Sequence, residues 1–198
     1  MKAKTIIVFF AVVLAGNLVA SAGDQRSCKE GALKEKPFKG QVQQIAAEQI
    51  TLDQVKNYPY LNEVINRFGE PDPVSLYFVP PQLVTFEGYN NVGGDSIHKN
   101  AQLFYLFPLP PDYSRFVMVY YEDSTITVAN GDQIFVRVEG VYYSSIDKLI
   151  AKETVVGGTG RFEGAEGSFV GTQDVDRDGD PIIVYDGYIT MSCKAEKH

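Results

Sequence analysis

From Ser75 to Met191 the chain repeats one pattern: a short segment rich in Val, Ile, Phe and Tyr, then a cluster of turn residues. The segments are Ser75–Val79, Leu83–Tyr89, Gln102–Phe107, Arg115–Tyr121, Thr125–Ala129, Gln133–Tyr143, Lys152–Val156, Gly167–Gln173 and Ile182–Met191. β-Branched and aromatic side chains suit a pleated, half-buried surface. Ile126 and Val128, then Ile134, Val136 and Val138, alternate with polar neighbours as strand residues with one buried face do. Asn130-Gly131 between them is a two-residue hairpin signal. Eight or nine short strands in succession must close into a barrel or stack as a sandwich to manage their edges. The expectation is an all-β domain over residues 74–193.

The segment before it reads differently. Residues 23–50 are polar and mixed and suggest an irregular arm. Pro59 stands at a first-turn position, and Leu61, Val64, Ile65 and Phe68 follow at helical spacing. Gly69 and Pro71 end the run. This predicts one short amphipathic helix within an N-terminal arm of residues 23–73, packed over one end of the β domain.

The first 22 residues have the form of a secretory leader. Lys2 and Lys4 precede an apolar run from Thr5 to Leu14, and Ala20-Ser21-Ala22 is an A-x-A cleavage site. The alternative is an uncleaved anchor, against which stand the short apolar run and Asn17. A secreted or periplasmic location follows, with no integral membrane span. There the two cysteines, Cys28 and Cys193, read as a disulfide joining the two ends of the mature chain, or else as two buried thiols. The formal net charge of −7 disfavours a phosphate backbone as partner, so nucleic acid is excluded.

Chemistry has few carriers. His98 lies in a stretch that reads as a solvated polar loop, and His198 is the last residue, which leaves little for a hydrolytic triad or a zinc site. A carboxylate in an apolar cavity could do acid/base work, because desolvation raises its pKa. The strand-borne candidates are Glu87, Glu139 and Glu153; Glu139 shares a strand face with Arg137 and Phe135, and is either a lumen carboxylate or a solvent-facing one beside an arginine. In Asp174-Val175-Asp176-Arg177-Asp178-Gly179-Asp180, alternate carboxylates resemble the first half of an EF-hand calcium loop. Tyr185 stands where the bidentate glutamate belongs, and strands flank the loop. Asp174, Asp176, Asp178 and Asp180 are either a looser calcium site or an Asp/Gly hairpin turn. Gly157-Gly158-Thr159-Gly160 lacks the Lys-Ser/Thr of a phosphate loop and reads as a kinked strand connection, with Phe162 plugging the core.

That connection carries a family resemblance. Gly157-Gly158-Thr159-Gly160-Arg161-Phe162-Glu163-Gly164-Ala165-Glu166-Gly167, then Ser168-Phe169-Val170-Gly171, resembles the signature hairpin of allene oxide cyclases, and plant dirigent proteins share a related form. The Tyr185-Asp186-Gly187-Tyr188-Ile189 strand is also similar. The resemblance is specific over residues 139–191 and architectural over 74–138. It implies a closed antiparallel eight-stranded barrel of calycin type, an apolar pocket and a trimeric homo-oligomer. The cyclases among such barrels close a fatty-acid epoxide without a cofactor, aided by a glutamate and ordered water; dirigent members steer radical coupling. The cyclase site residues do not map onto this sequence.

Two functions follow. One is a secreted barrel that binds an apolar small molecule without turnover, with calcium at the Asp-rich loop as a structural ion. The other is a cofactor-independent cyclase or isomerase of an unsaturated, lipid-like or polyketide-like substrate. In it Glu87 and Glu139 are the catalytic carboxylates, and Tyr89, Tyr105 or Tyr120 their hydrogen-bonding partners.

Overall fold

The computed structural model describes residues 33–75, 77–111, 114–177 and 179–192. The leader, Cys28 and Cys193 lie outside the described residues, as does Asp178. Eight antiparallel strands close a barrel in sequence order. They are β1 (Leu33–Gln49), β2 (Gln82–Asn90), β3 (Gly94–Pro108), β4 (Phe116–Val128), β5 (Gln133–Tyr143), β6 (Lys148–Gly158), β7 (Glu166–Val175) and β8 (Pro181–Ser192). Closure is between β1 and β8, where Phe38 faces Gly187 and Gly40 faces Tyr185. The strands are staggered, as closure requires. A row of paired residues that leaves β1 at Phe38 runs around the wall and returns to β1 at Gln49.

Two expectations are corrected. Residues 33–49 are a barrel strand rather than an irregular arm, so the barrel starts well before residue 74. Phe38 and Val42 are the only buried residues of β1, so no apolar alternation betrays it. The strand is held by pairing to β8 and β2, which satisfies its backbone groups. Conversely, the described residues of the 75–79 segment form no strand, and Val79 packs against the barrel core. A third difference concerns β4. The Glu122-Asp123-Ser124 stretch, expected to divide two strands, runs through one.

Between β1 and β2 lie two helices, α1 (Leu52–Val55) and α2 (Pro59–Phe68). Thr51 and Gln54 form a reciprocal capping box on α1. On α2 Pro59 opens the helix and Gly69, with φ 88°, ends it, as the sequence predicts. The helix lies against the outer wall rather than over an end. Its buried Leu61, Val64 and Ile65 meet Ala101 and Leu103 of β3, and Phe68 stacks on Tyr121 of β4 with ring centroids 5.8 Å apart. Among the described residues no helix is long and apolar enough to cross a membrane.

The glycine-rich connection closes one end of the barrel. A single 3-10 turn, Gly160–Phe162, drives the fully buried Phe162 into the core. Gly160 has φ 58°, and the Asp132 carboxylate occupies the space where a Cβ would stand. Only glycine satisfies both conditions there.

Candidate functional site

Alternation divides each strand between lumen and outside. On β3 the result is inverted relative to a simple core. Ser96, His98, Asn100 and Gln102 point inward, whereas Ala101 and Leu103 point outward beneath the helices. On β4, Tyr120, Glu122 and Ser124 point inward above Ile126 and Val128. Glu153 of β6 joins them, and both glutamates retain only 6% of their surface. The barrel therefore contains two buried carboxylates, and no Lys or Arg is buried among the described residues.

The two carboxylates are treated unequally. Glu122 and Glu153 flank Val138 in one row across β4, β5 and β6, which sets their backbones roughly 10 Å apart. Asn100 Nδ2 donates to Glu122 at 2.7 Å and Gln102 Nε2 at 2.5 Å. Ser124 Oγ donates in turn to Asn100 Oδ1 at 2.7 Å, fixing the amide. Glu153 has no hydrogen-bond donor among the described residues. Burial raises both carboxyls. The two amide donors pull Glu122 back to about 7, and the neighbouring Glu122 charge adds to the burial that holds Glu153 well above its ordinary value. Glu153 is therefore raised further than Glu122 and holds its proton more firmly.

Small residues make room for the surroundings. The next row reads Phe104, Tyr120, Gly140, Ala151, Gly171 and Tyr185. A Cβ on Gly140 would collide with the Tyr120 ring. One on Gly171 would stand 2.7 Å from Glu153 Oε1 and 3.1 Å from Tyr185 Cε1. Two tyrosines from opposite sides thus fold over the small row and flank Glu153. Phe169 meets Tyr185 edge to face at 5.5 Å and stacks on Phe38 at 4.5 Å. Burial, with the two glutamates beside them, drives the Tyr120 and Tyr185 hydroxyls well above their usual pKa.

The lumen is graded along its axis. Ile126, Ile134, Phe162 and Ile189 at the glycine-rich end are completely buried. Phe104, Tyr120, Glu122, Glu153 and Tyr185 keep 5–8% of their surface, so small gaps remain among them. Beyond them, toward the opposite mouth, Met118, Leu149 and Ile183 are only partly buried.

The expected site residues lie elsewhere. Glu87 and Glu139 are both exposed on the outer wall. Glu87 lines a shallow outer cleft of about 740 Å³ beside Tyr89 and Asp95. Glu139 accepts a hydrogen bond from Tyr60 of α2 at 3.1 Å, in a 270 Å³ groove. Tyr105 also faces outward and donates to the Gly69 carbonyl at 2.7 Å; of the expected tyrosines Tyr120 alone enters the lumen. Glu153 was legible as a strand-borne candidate. Glu122 was not, because Glu122-Asp123 reads as a strand break. The signal is the unbroken alternation Tyr120, Glu122, Ser124, Ile126, Val128.

His98 is corrected from a solvated loop residue to a buried strand residue, 2% exposed. It stacks on Tyr185 at 5.7 Å with rings 9° from parallel, and Nε2 lies 3.2 Å from Ser96 Oγ. Burial lowers its pKa to about 4, so it is neutral at pH 7. The Asp-rich loop is the hairpin between β7 and β8. Asp174 Oδ1 accepts from the Val175 amide at 2.8 Å and Asp176 Oδ1 from the Asp180 amide at 2.9 Å. Among the described residues no three His, Cys, Asp or Glu side chains converge as a metal set.

Solved structures similar to this chain include two pterocarpan synthase dirigent proteins. GePTS1 is 14% identical over 87% of this chain and 92% of its own, with a TM-score of 0.39. PsPTS1 is 12% identical over 84% of this chain and 99% of its own, with a TM-score of 0.41. No protein-family model and no curated protein matches the chain.

Proposed function

We propose that this protein is a small-molecule barrel whose ligand sits in the upper lumen, against Glu122, Glu153, Tyr120 and Tyr185. One observation carries the reading: the barrel turns its polar residues inward. Ser96, His98, Asn100, Gln102, Glu122 and Glu153 face the lumen, where a packed hydrophobic core would be more stable. A donorless buried carboxyl such as Glu153 costs stability, and groups of that kind concentrate where a ligand or a reaction needs them. The ligand has an apolar frame, because Phe104, Phe169 and Met118 belong to the hydrophobic cluster around these groups. Export of the chain by its leader belongs to the same reading.

A second reading rests on the asymmetry of the pair. Two carboxyls whose surroundings push their pKa values apart form an acid and a base in one cavity. Glu153 would donate a proton to the bound molecule and Glu122 would accept one, the pattern of a cofactor-independent isomerase or cyclase. Confinement would supply orientation.

The test is extraction. The protein is purified from its native secretion and denatured, and released molecules are identified by mass spectrometry. A near-stoichiometric molecule supports the barrel reading. Conversion of that molecule by the wild type, abolished by Glu153→Gln and by Glu122→Gln, supports the second. An empty protein whose lumen tyrosines give no NMR response to a panel of apolar molecules overturns both.

A further inference from the structure

The lumen's charge says which class of molecule it takes. This inference rests on the upper lumen being the ligand site. Two carboxyl groups lie inside the barrel, and no buried Lys or Arg stands against them among the described residues. The amides of Asn100 and Gln102 serve Glu122 alone. Glu153 is 94% withdrawn from solvent by its 6% residual exposure and has no donor among the described residues. Its Oε1 and the edge of the Tyr185 ring both lie over Gly171. Phe169, its cross-strand neighbour, turns its ring edge-to-face with Tyr185, and Tyr120 closes the other side beyond Gly140.

A carboxylate without a donor, walled by aromatic rings, is complementary to an ammonium group. The carboxylate would supply the opposite charge in a place largely withdrawn from water, where the attraction is stronger than at the surface. An anion would meet two carboxyl groups and, among the described residues, no buried Lys or Arg. A neutral molecule could hydrogen-bond Glu153 but would supply no charge to balance a carboxylate there.

We infer that the ligand is a small organic cation: a primary or substituted amine on an aromatic or apolar frame, its ammonium paired with Glu153 and its frame among Tyr120, Phe169 and Tyr185. On binding, the Glu153 carboxylic acid gives its proton to solvent and the ammonium takes its place, so charge inside the lumen is balanced. Glu122 keeps its two amide donors throughout.

The experiment compares three molecules of one shape and three charges: 2-phenylethylamine, 2-phenylethanol and 3-phenylpropionate. Each is titrated calorimetrically into the mature chain at pH 7 and 0.15 M salt. The expected result is an amine affinity at least tenfold above that of the alcohol, with no binding of the carboxylate. Glu153→Gln removes the preference, bringing amine affinity down at least tenfold. Glu87→Gln, in the acidic outer cleft, keeps it. Equal or tighter binding of the alcohol overturns the cation assignment and leaves the lumen as the ligand site. Loss of the amine preference in Glu87→Gln moves the site outside the barrel and overturns the assignment too. Binding of none of the three, together with an empty native extract, overturns the lumen reading itself. Should Glu153→Gln fail to fold, the wild-type amine-to-alcohol ratio and Glu87→Gln decide the question.

Discussion

The inner and outer faces of β3 and β4 differ in a way that runs against expectation. Beneath the helices, the outer face is apolar: Ala101 and Leu103 meet Val55, Leu61, Val64 and Ile65. The inner face of the same strands carries Asn100, Gln102, Glu122 and Ser124. Polar contacts outside are confined to the rim of the helix, where the Tyr60 amide and hydroxyl reach Asp123 and Glu139. The outer core behaves as a packing surface that stabilises the wall. The inner one gives up stability to hold a connected set of polar groups, the property on which the proposed lumen site rests.

Five measurements would break or sharpen this contrast. The largest effect belongs to the outer core. Leu61→Ala, at a completely buried position, should cost about 2–5 kcal/mol in denaturant unfolding, without changing what the lumen binds. Glu122→Leu should cost roughly 1–3 kcal/mol, because it strands the amide donors of Asn100 and Gln102. Glu153→Leu should go the other way and raise stability by about 1 kcal/mol or more, since it removes a buried carboxyl that no donor compensates. If Glu153→Leu destabilises as much as Glu122→Leu, the asymmetry of the pair is refuted.

The fourth is the pH profile of unfolding. Glu122 and Glu153 are raised in the folded protein, so folding binds protons and stability falls as pH rises above the ordinary carboxyl range. For Glu122 the fall ends near pH 7; for Glu153 it continues above. His98 acts oppositely. Its pKa is lowered to about 4, so stability is lost as pH falls from about 6.5 toward 4. Between pH 6.5 and 8 the carboxyls act without it, and the melting temperature should decline. The slope should approach roughly 1 kcal/mol per pH unit for each proton released. Tyr120 and Tyr185 face the same space but titrate above this window. The profile should flatten in Glu153→Gln. The smallest effect is expected of Glu87→Gln on the exposed outer wall, within about 0.5 kcal/mol by the same unfolding assay.

Legibility followed the locality of each interaction. The helix at Pro59–Phe68 and the hairpin at Asn130-Gly131 were readable because their signals lie within a few residues of each other. The plug at Phe162 was readable for the same reason, its glycines having a conformational task that other residues perform poorly. Strand β1 was not, since one of its two partners, β8, is more than a hundred residues away and its own side chains are nearly all exposed. Glu153 could be named from its strand, but its pairing with Glu122 could not.

The amino-acid pattern by itself determined that the chain forms many short antiparallel strands with one amphipathic helix, because alternation, turn chemistry and capping are local properties. It also determined which residues of a strand share a face. Tertiary structure alone decided which face is inside. Closure of β1 on β8 fixed the stagger, and α2 covered part of the outer wall, so apolar residues there no longer mark the lumen. The carboxylates that meet inside the barrel are therefore set by register across β4, β5 and β6, a relation no single segment contains.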